Sequence, residues 1–227
     1  MGGMSTVTAI EIIEDYTPRA RLDDGFLRLK RFRAQNRHAD GTVSPEYKID
    51  VVDRPTLDAV ALCLWARTPR GIEVLTRHQL RPAAYFRRGK PAALPEGEYL
   101  HVEEIVAGVL EPGELGLAAL CHRAAEEARE EAGLTIAAEA IRTLGGPFFA
   151  LPGIVSEKIH VLEAEVARPP GPDLAPAPHE GDGSPLEEGA FLRWRTLTEA
   201  LADIDAGKLE DAKTEIAFRR LARKLGV

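Results

Sequence analysis

The segment Glu127-Ala128-Arg129-Glu130-Glu131-Ala132-Gly133-Leu134 decides how this chain is interpreted. Upstream of it, apolar and small residues recur at steps of three and four, as one buried helix face requires: Leu117, Cys121, Ala124, Ala128 and Ala132. Gly133 follows as a residue that ends a helix. The pattern therefore predicts one strong amphipathic helix that stops within this segment.

The predicted helix carries three glutamates on one flank. Glu127, Glu130 and Glu131 are related by steps of three and four, so their carboxylates converge. Like charges this close repel one another unless cations lie between them. Two interpretations follow. The flank is either a solvated acidic face that Arg123 and Arg129 partly neutralise, or a platform for a hard divalent cation such as Mg²⁺, which prefers carboxylate oxygens.

The composition limits the class of protein. The chain has 227 residues, of which 44% are hydrophobic, enough for one large domain or two small ones. Its net charge of −7 has the wrong sign for a general polyanion binder, so we expect no nucleic-acid partner. We find no secretory signal and no apolar run of the ~18 residues that a membrane span needs, so we expect a cytoplasmic protein without a membrane partner. Cys63 and Cys121 lack metal-ligand spacing and are interpreted as small core residues.

Strand-like and helix-like segments alternate along the chain in an order typical of an α+β protein. Strands are predicted at Phe26–Arg33, Tyr47–Val52, Leu57–Trp65, Ile72–Thr76, Ile159–Val166 and Phe191–Thr196. Leu197–Leu225 has helical periodicity with a break near Gly207, and Arg87–Glu98 is predicted to be a surface loop. Pro169–Pro185 is the richest segment in proline and glycine, and we expect no regular structure there.

The sequence in and around the acidic helix resembles the signature of the Nudix hydrolase family, G-x5-E-x7-R-E-U-x-E-E-x-G-U, where U is apolar. Gly108 and Glu114 match the first part, and the segment from Glu127 to Leu134 matches the second without a break. Glu114 and Glu127 are 13 positions apart, against nine in the family, and about one extra helical turn absorbs the excess. Glu126 stands at the family's arginine position, and Arg123 is the residue that could reach the same carboxylates.

Flanking motifs resemble the ADP-ribose pyrophosphatase-type members of this family. His78–Ala83 is similar to their R-Q-Y-R-P-A, and Glu104–Gly108 to their E-l-P-A-G, with Val106 in place of proline. Leu151–Glu157 is similar to their S-P-G-x-x-S-E loop, and Asp211–Thr214 to their terminal D-A-K-T. The resemblance runs from about Ser44 to the end of the chain.

The resemblance implies a Nudix-type α/β/α sandwich with a mixed sheet, over residues 56–227. It also implies that residues 1–55 form a small N-terminal β-strand region that pairs across a two-fold axis in a homodimer. A ribbon of unpaired strands is marginally stable in water, which gives an independent reason to expect a partner surface. We therefore expect a homodimer.

The resemblance implies a site for Mg²⁺, with Mn²⁺ as a possible substitute. Glu127 and Glu131 would be the principal ligands, with Glu130 close by and the carbonyl of Ala107 completing the site. Glu114 would support the geometry of the loop and helix. The general base in the subfamily is a glutamate on a late loop, where Glu187 and Glu188 stand side by side here.

Three further residues are candidates for substrate binding. Arg81 can grip phosphate oxygens with its guanidinium, although a surface arginine beside a turn would look the same in sequence. Glu157 either orients substrate, pins its own loop or is a solvated loop carboxylate, and the same alternatives apply to Glu104. The six histidines show no metal-ligand spacing and are interpreted as bystanders.

The expected function is Mg²⁺-dependent hydrolysis of the pyrophosphate bond in a nucleoside diphosphate linked to a sugar. ADP-ribose, cleaved to AMP and ribose 5-phosphate, is the first candidate for this small-molecule substrate. The alternatives are another nucleotide sugar or dinucleotide, a Nudix module that binds a nucleotide without cleaving it, and a structural protein with an acidic helix.

Overall fold

The computed structural model describes residues 25–94, 96–178 and 185–227, together with Arg21. Its strands are β1 (Arg28–Ala34), β2 (Tyr47–Asp53), β3 (Asp58–Thr68), β4 (Gly71–Leu80), β5 (His101–Glu104), β6 (Val106–Val109), β7 (Arg142–Thr143), β8 (Phe148–Phe149), β9 (Lys158–Glu165), β10 (Leu174–Pro176) and β11 (Phe191–Thr196). Its α-helices are α1 (Pro82–Tyr85), α2 (Gly116–Ala132), α3 (Leu197–Asp205) and α4 (Ala212–Leu225), and short 3₁₀ helices lie at Ala138–Ala140 and Pro185–Glu187.

Nine of the described strands form one mixed sheet. Its main path runs β10-β11-β4-β3-β9-β7, while β5 pairs with β4, β6 with β3 and β8 with β9. The central pair, β3 and β9, is parallel, and the other pairs are antiparallel. The predicted α+β class with a mixed sheet is confirmed.

Strand β3 is buried on both faces, which explains its nearly continuous apolar sequence. Successive side chains of a strand point to opposite faces, so Leu62 and Leu64 pack in the core beneath α2. Cys63 and Trp65 pack in the second core, beneath α3 and α4. The sheet is thus the middle layer between α2 on one side and the two C-terminal helices on the other.

The ends of the helices follow ordinary capping chemistry. Helix α2 ends at Gly133, whose φ of 66° is left-handed, and the N–H groups of Gly133 and Leu134 donate to the carbonyls of Arg129 and Ala128. Helix α3 begins with a capping box between Thr196 and Glu199. The predicted helix stop at Gly133 is confirmed, as is the break between the last two helices.

Strands β1 and β2 form a separate antiparallel ribbon. Phe32, Tyr47 and Ile49 share one of its faces and are exposed. A bridge between Val52 and Val155 joins the ribbon to the loop before β9. The proposed boundary between residues 1–55 and 56–227 stays a prediction, and residues 1–20 and 22–24 lie outside the described part of the chain.

The proline-rich segment differs from the prediction. Leu174–Pro176 forms β10, which pairs antiparallel with β11 at the edge of the sheet. Proline is tolerated at an edge because it has no N–H that a further strand would need. Residues 179–184 of this segment are not among those described.

No helix among the described residues is both long enough and apolar enough to cross a membrane.

Candidate active site

The acidic end of α2 packs directly on Gly108 of β6. A β-carbon at position 108 would lie 1.7 Å from Oε1 of Glu127 and 2.1 Å from its Cδ. Real β-carbons do not approach other atoms this closely, so the Glu127 carboxylate occupies the space that any other residue at position 108 would fill. The glycine that begins the motif therefore leaves the space in which the Glu127 carboxylate lies.

Glu131 lies one turn further along α2 and is buried. Its Oε2 accepts a hydrogen bond of 3.1 Å from the N–H of Ala107, and its Oε1 accepts one from Nη1 of Arg77. Burial raises the pKa of Glu131, whereas the Arg77 charge and the Ala107 N–H lower it; burial prevails. The Ala107 N–H is the group seen in contact here, so a metal-ligating role for its carbonyl stays a prediction.

The electrostatics of Glu127 are dominated by burial and by its acidic neighbours. Burial, Glu131 and Glu130 together raise the pKa of Glu127 to about 8, and Arg123 opposes them. Glu130 itself is partly exposed and accepts a hydrogen bond of 2.5 Å from Arg129. The three glutamates therefore differ: two are turned inward, and one is paired at the surface.

Glu114 and Arg123 form a structural pair at the start of α2. Nε and Nη2 of Arg123 donate to Glu114 at 3.2 and 3.0 Å, and Glu114 also accepts from the N–H of Glu111 at 2.6 Å. Arg123 further pairs with Glu126 at 3.3 Å. These contacts agree with the loop-supporting role expected of Glu114. Arg123 therefore pairs with Glu114 and Glu126.

Arg77 is the residue that sequence reasoning missed. It lies in β4 with only 1% of its side chain exposed, between Leu75 and Gln79 on the face that packs beneath α2. The predicted strand Ile72–Thr76 stopped one residue short of Arg77, whereas β4 continues to Leu80. With the longer strand, a charge at a core-facing position would have been the signal, because a buried guanidinium requires acidic partners. Here the partners are Glu131 and Glu187.

Arg77 also distinguishes the two candidate bases. Nη2 of Arg77 donates to Oε1 of Glu187 at 3.1 Å, so Glu187 reaches the acidic end of α2. Glu188 is exposed, and its N–H bonds to the carbonyl of Pro185 within the turn. Of the two, the structure brings Glu187 to the site.

Glu104 is the centre of a second polar cluster, next to the first. It accepts hydrogen bonds from Gln79 at 2.8 Å, from Nε of Arg81 at 2.6 Å, and from Lys213. Burial raises the pKa of Glu104, but the charges of Lys213 and Arg81 and their hydrogen bonds outweigh burial and hold it at about 2. Because Gln79 also accepts from Arg77, the two clusters form one continuous hydrogen-bonded network.

Arg81 is anchored at one end and open at the other. It donates to Glu104 through Nε, while 46% of its side chain is exposed. Its position before α1, beside buried Glu104, leaves the guanidinium accessible to a ligand. The geometry is therefore compatible with the predicted phosphate contact.

The D-A-K-T segment explains how α4 joins this network. Asp211 caps α4 by accepting from the N–H of Thr214 at 2.9 Å, and the Thr214 hydroxyl in turn accepts from the N–H of Ile105 at 2.9 Å. Lys213 then lies between Asp211 and Glu104. The cap thus ties α4 to the junction of β5 and β6.

Glu157 is paired with another side chain of the protein. It forms an ion pair of 2.5 Å with Arg54, which follows β2. This pair and the neighbouring Val52–Val155 bridge hold the loop before β9 against the ribbon. Of the three interpretations given above, the contact favours that of a residue that pins its own loop.

The donor atoms show whether these residues suit a divalent cation. Glu127 and Glu131 supply carboxylate oxygens beside the backbone of Ala107 and Gly108, and Mg²⁺ and Mn²⁺ prefer oxygen donors. Within the described ranges, no group of three or more His, Cys, Asp or Glu side chains is already arranged to hold a metal ion. Arg77 and Arg129 occupy oxygens of Glu131 and Glu130. The donor types therefore fit the cation, and binding requires these glutamates to exchange partners.

Comparisons with known proteins identify the fold. No protein-family model matches the sequence, and a search of curated proteins gives no significant match. Among solved structures, the chain is similar to one described as an ADP compounds hydrolase, with 14% sequence identity and a TM-score of 0.56. The match covers 87% of this chain and 86% of that one. At this identity the likeness concerns the fold, and the fold agrees with the Nudix-type architecture expected from the sequence.

Proposed function

We propose that this protein is a Nudix-type hydrolase that cleaves the pyrophosphate bond of a nucleoside diphosphate linked to a sugar, with Mg²⁺ or Mn²⁺ as cofactor and ADP-ribose as the first candidate substrate. The observation that carries the proposal is the packing of Glu127 on Gly108, with Glu131 beside the backbone of Ala107. The Nudix-type fold supports it, and so does the description of the structural neighbour as an ADP compounds hydrolase.

In the proposed reaction a water oxygen forms a bond to one phosphorus atom, and the bond from that phosphorus to the bridging oxygen breaks. ADP-ribose and water then give AMP and ribose 5-phosphate. A divalent cation supplies charge neutralisation at the phosphate oxygens and makes water more acidic. Glu127 and Glu131 would hold it, with Glu130 and the Ala107 carbonyl as further donors.

The remaining roles fall to residues around this end of α2. Glu187 would accept the proton of the attacking water, because it is the late-loop glutamate that reaches the site. Arg81 would bind a phosphate oxygen, since its guanidinium is half exposed and fixed at Nε by Glu104. Glu104 would orient Arg81 rather than contact substrate.

The test is product detection over a panel of nucleoside diphosphate compounds, with Mg²⁺, Mn²⁺ or chelator. We expect metal-dependent release of AMP from ADP-ribose, lost in Glu131→Gln and retained in Glu126→Gln, a control on the solvent-facing side of the same helix. Cleavage of another panel member would keep the reaction and change the substrate. A fully active Glu131→Gln protein would contradict the assignment of the site.

One observation favours a second candidate, a Nudix-fold module that binds a nucleotide without cleaving it. Arg77 already compensates the charge of Glu131 by a buried ion pair, so this carboxylate does not depend on a cation in the folded chain. Such a module would show a higher melting temperature with nucleotide, equal in Mg²⁺ and in chelator, and no product.

We also propose that the protein is a homodimer, joined through the ribbon of β1 and β2. The exposed apolar face of Phe32, Tyr47 and Ile49 supports this, because a two-stranded ribbon needs further apolar contacts to be stable. Sedimentation velocity at micromolar concentration tests it, and a monomer at all concentrations would refute it.

A further inference from the structure

Arg77 connects three parts of the chain that are distant in sequence. From β4, Nη1 donates to Gln79 and to Glu131 of α2, and Nη2 donates at 3.1 Å to Glu187. Glu187 ends the 3₁₀ helix Pro185–Glu187, which comes shortly before β11. One buried guanidinium therefore sets the spacing between the acidic end of α2 and the late loop.

Arg77 has two acidic partners, which belong to two different segments of the chain. A single carboxylate neutralises a single buried guanidinium, yet Arg77 divides its two Nη groups between Glu131 and Glu187. Its Nε is buried and has no hydrogen-bond partner among the described residues. Buried Arg195 has the same pattern, with an unpaired Nε and Nη groups divided between Glu103 and Asp203. What sets Arg77 apart is the identity of its partners, which belong to the acidic end of α2 and to the late loop.

We infer that Arg77 is a positioning residue that holds the carboxylates of Glu131 and Glu187 at a fixed distance from each other, so that both face one substrate. The inference rests on the proposed function, in which Glu131 binds the cation and Glu187 accepts a proton. Arg77 does neither. It acts through these two residues, and the planar fork of a guanidinium suits this task because its two Nη groups point to two different oxygen atoms.

Substitution of Arg77 by lysine tests whether a positive charge at this position is enough or whether the shape of the guanidinium is also required. Arg77→Lys keeps the positive charge in the core but offers a single ammonium group, which cannot reproduce both Nη contacts. Arg195→Lys is the matched control, because Arg195 is 4% exposed and pairs with Glu103 and Asp203 on the opposite face of the sheet. Both variants lose a buried guanidinium, but only Arg77→Lys changes the spacing of Glu131 and Glu187.

The first measurement is hydrogen–deuterium exchange of the metal-free proteins, which needs no turnover. We expect amides of residues 186–190 to exchange about tenfold faster in Arg77→Lys, since a charge-assisted hydrogen bond that holds them is lost. Glu187→Gln should show the same local change and is the second variant if Arg77→Lys does not fold. In Arg195→Lys this segment should match the wild type. Wild-type protection in both Arg77→Lys and Glu187→Gln would overturn the inference.

The second measurement is steady-state kinetics with the substrate that the panel identifies. Arg77→Lys should lower kcat by roughly 10- to 100-fold with KM nearly unchanged, as losses of groups that orient metal ligands do. In a Glu187→Gln background the same change should cost much less, because one of its two targets is already lost. An unchanged kcat in Arg77→Lys would refute the inference. A wild-type protein inactive on the whole panel would refute the proposed function, and exchange alone would then decide whether Arg77 holds the late loop.

Discussion

Replacement of Gly108 by alanine should displace a residue of the proposed active site while it leaves the fold intact. The new β-carbon would lie 1.7 Å from Oε1 of Glu127, whereas ordinary contacts begin at 3.4 Å. The carboxylate must therefore move by about the difference between these two distances. It can do so, because the contacted atoms belong to the free end of a flexible side chain.

The expected stability change is small. A strained rotamer of Glu127 costs about 0.5–1.5 kcal/mol. Alanine in place of glycine restricts the unfolded chain and offsets about 0.4–1 kcal/mol of that cost, because Gly108 does not have a left-handed φ. The net effect is within about 1 kcal/mol, or a few degrees in Tm for a chain of this size.

The expected effect on turnover is much larger. A displacement of about 1 Å at a reacting centre can reduce the rate 100-fold, which is about 2.7 kcal/mol in the activation free energy. We therefore expect Gly108→Ala to lose at least two orders of magnitude in kcat/KM for the substrate that the panel identifies, with a nearly unchanged Tm.

The assay compares initial rates and thermal unfolding of the wild type, Gly108→Ala and Gly146→Ala. Position 146 is the control, because a β-carbon there meets no atom within 4 Å. Full activity in Gly108→Ala would refute the argument that Glu127 is placed by this contact. A large loss of Tm would show instead that the backbone, not the side chain, gives way.

Three further predictions concern stability and assembly. Burial raises the pKa of Glu103, but His78, Thr76 and Arg195 outweigh it and lower the pKa from 4.5 to about 2, so this carboxylate stabilises the fold above pH 4.5. Glu103→Gln should lose up to about 3 kcal/mol of unfolding free energy at pH 7, and the difference from wild type should shrink as the pH falls from 4.5 towards 2 in urea titrations. Gly133→Ala should lower the unfolding free energy by about 1–2 kcal/mol, because alanine is strained at φ 66°; an unchanged urea midpoint would be inconsistent with this cap. Phe32→Asp should shift the proposed dimer towards monomer in sedimentation velocity, without lowering the Tm of the protein. An unaltered dimer would place the interface elsewhere.

The sequence was most informative where the chemistry is local. The spacing of Glu127 and Glu131 and the stop at Gly133 lie within one helix, so their relations follow from helical geometry. Gly108, in β6, was found because it stands at a fixed place in the family signature. The same holds for β3, because a strand buried on both faces needs an uninterrupted apolar run.

Features that depend on contacts between distant segments were harder to predict from the sequence. Arg77 lies just beyond the predicted strand Ile72–Thr76, and its role appears only when β4 extends to Leu80 and the fold brings Glu131 and Glu187 to it from 54 and 110 positions away. Glu187 and Glu188 are adjacent and chemically identical, and the turn after Pro185 alone decides which one faces α2. The edge strand β10 was missed because Pro176 disfavours a central strand but not an edge one.

The parallel pairing of β3 with β9 has a consequence for how the chain acquires its structure. Asp58 pairs with Lys158, so the middle of the sheet joins residues 100 positions apart. Contacts at such separation require closure of a long loop before they contribute any stability, and they slow folding. During synthesis on the ribosome β3 therefore lacks its parallel neighbour until β9 has emerged, and the core beneath α4 closes only after α4 has followed. Over that interval the apolar side chains of β3 remain exposed, and exposed apolar surface of this kind promotes aggregation with other chains.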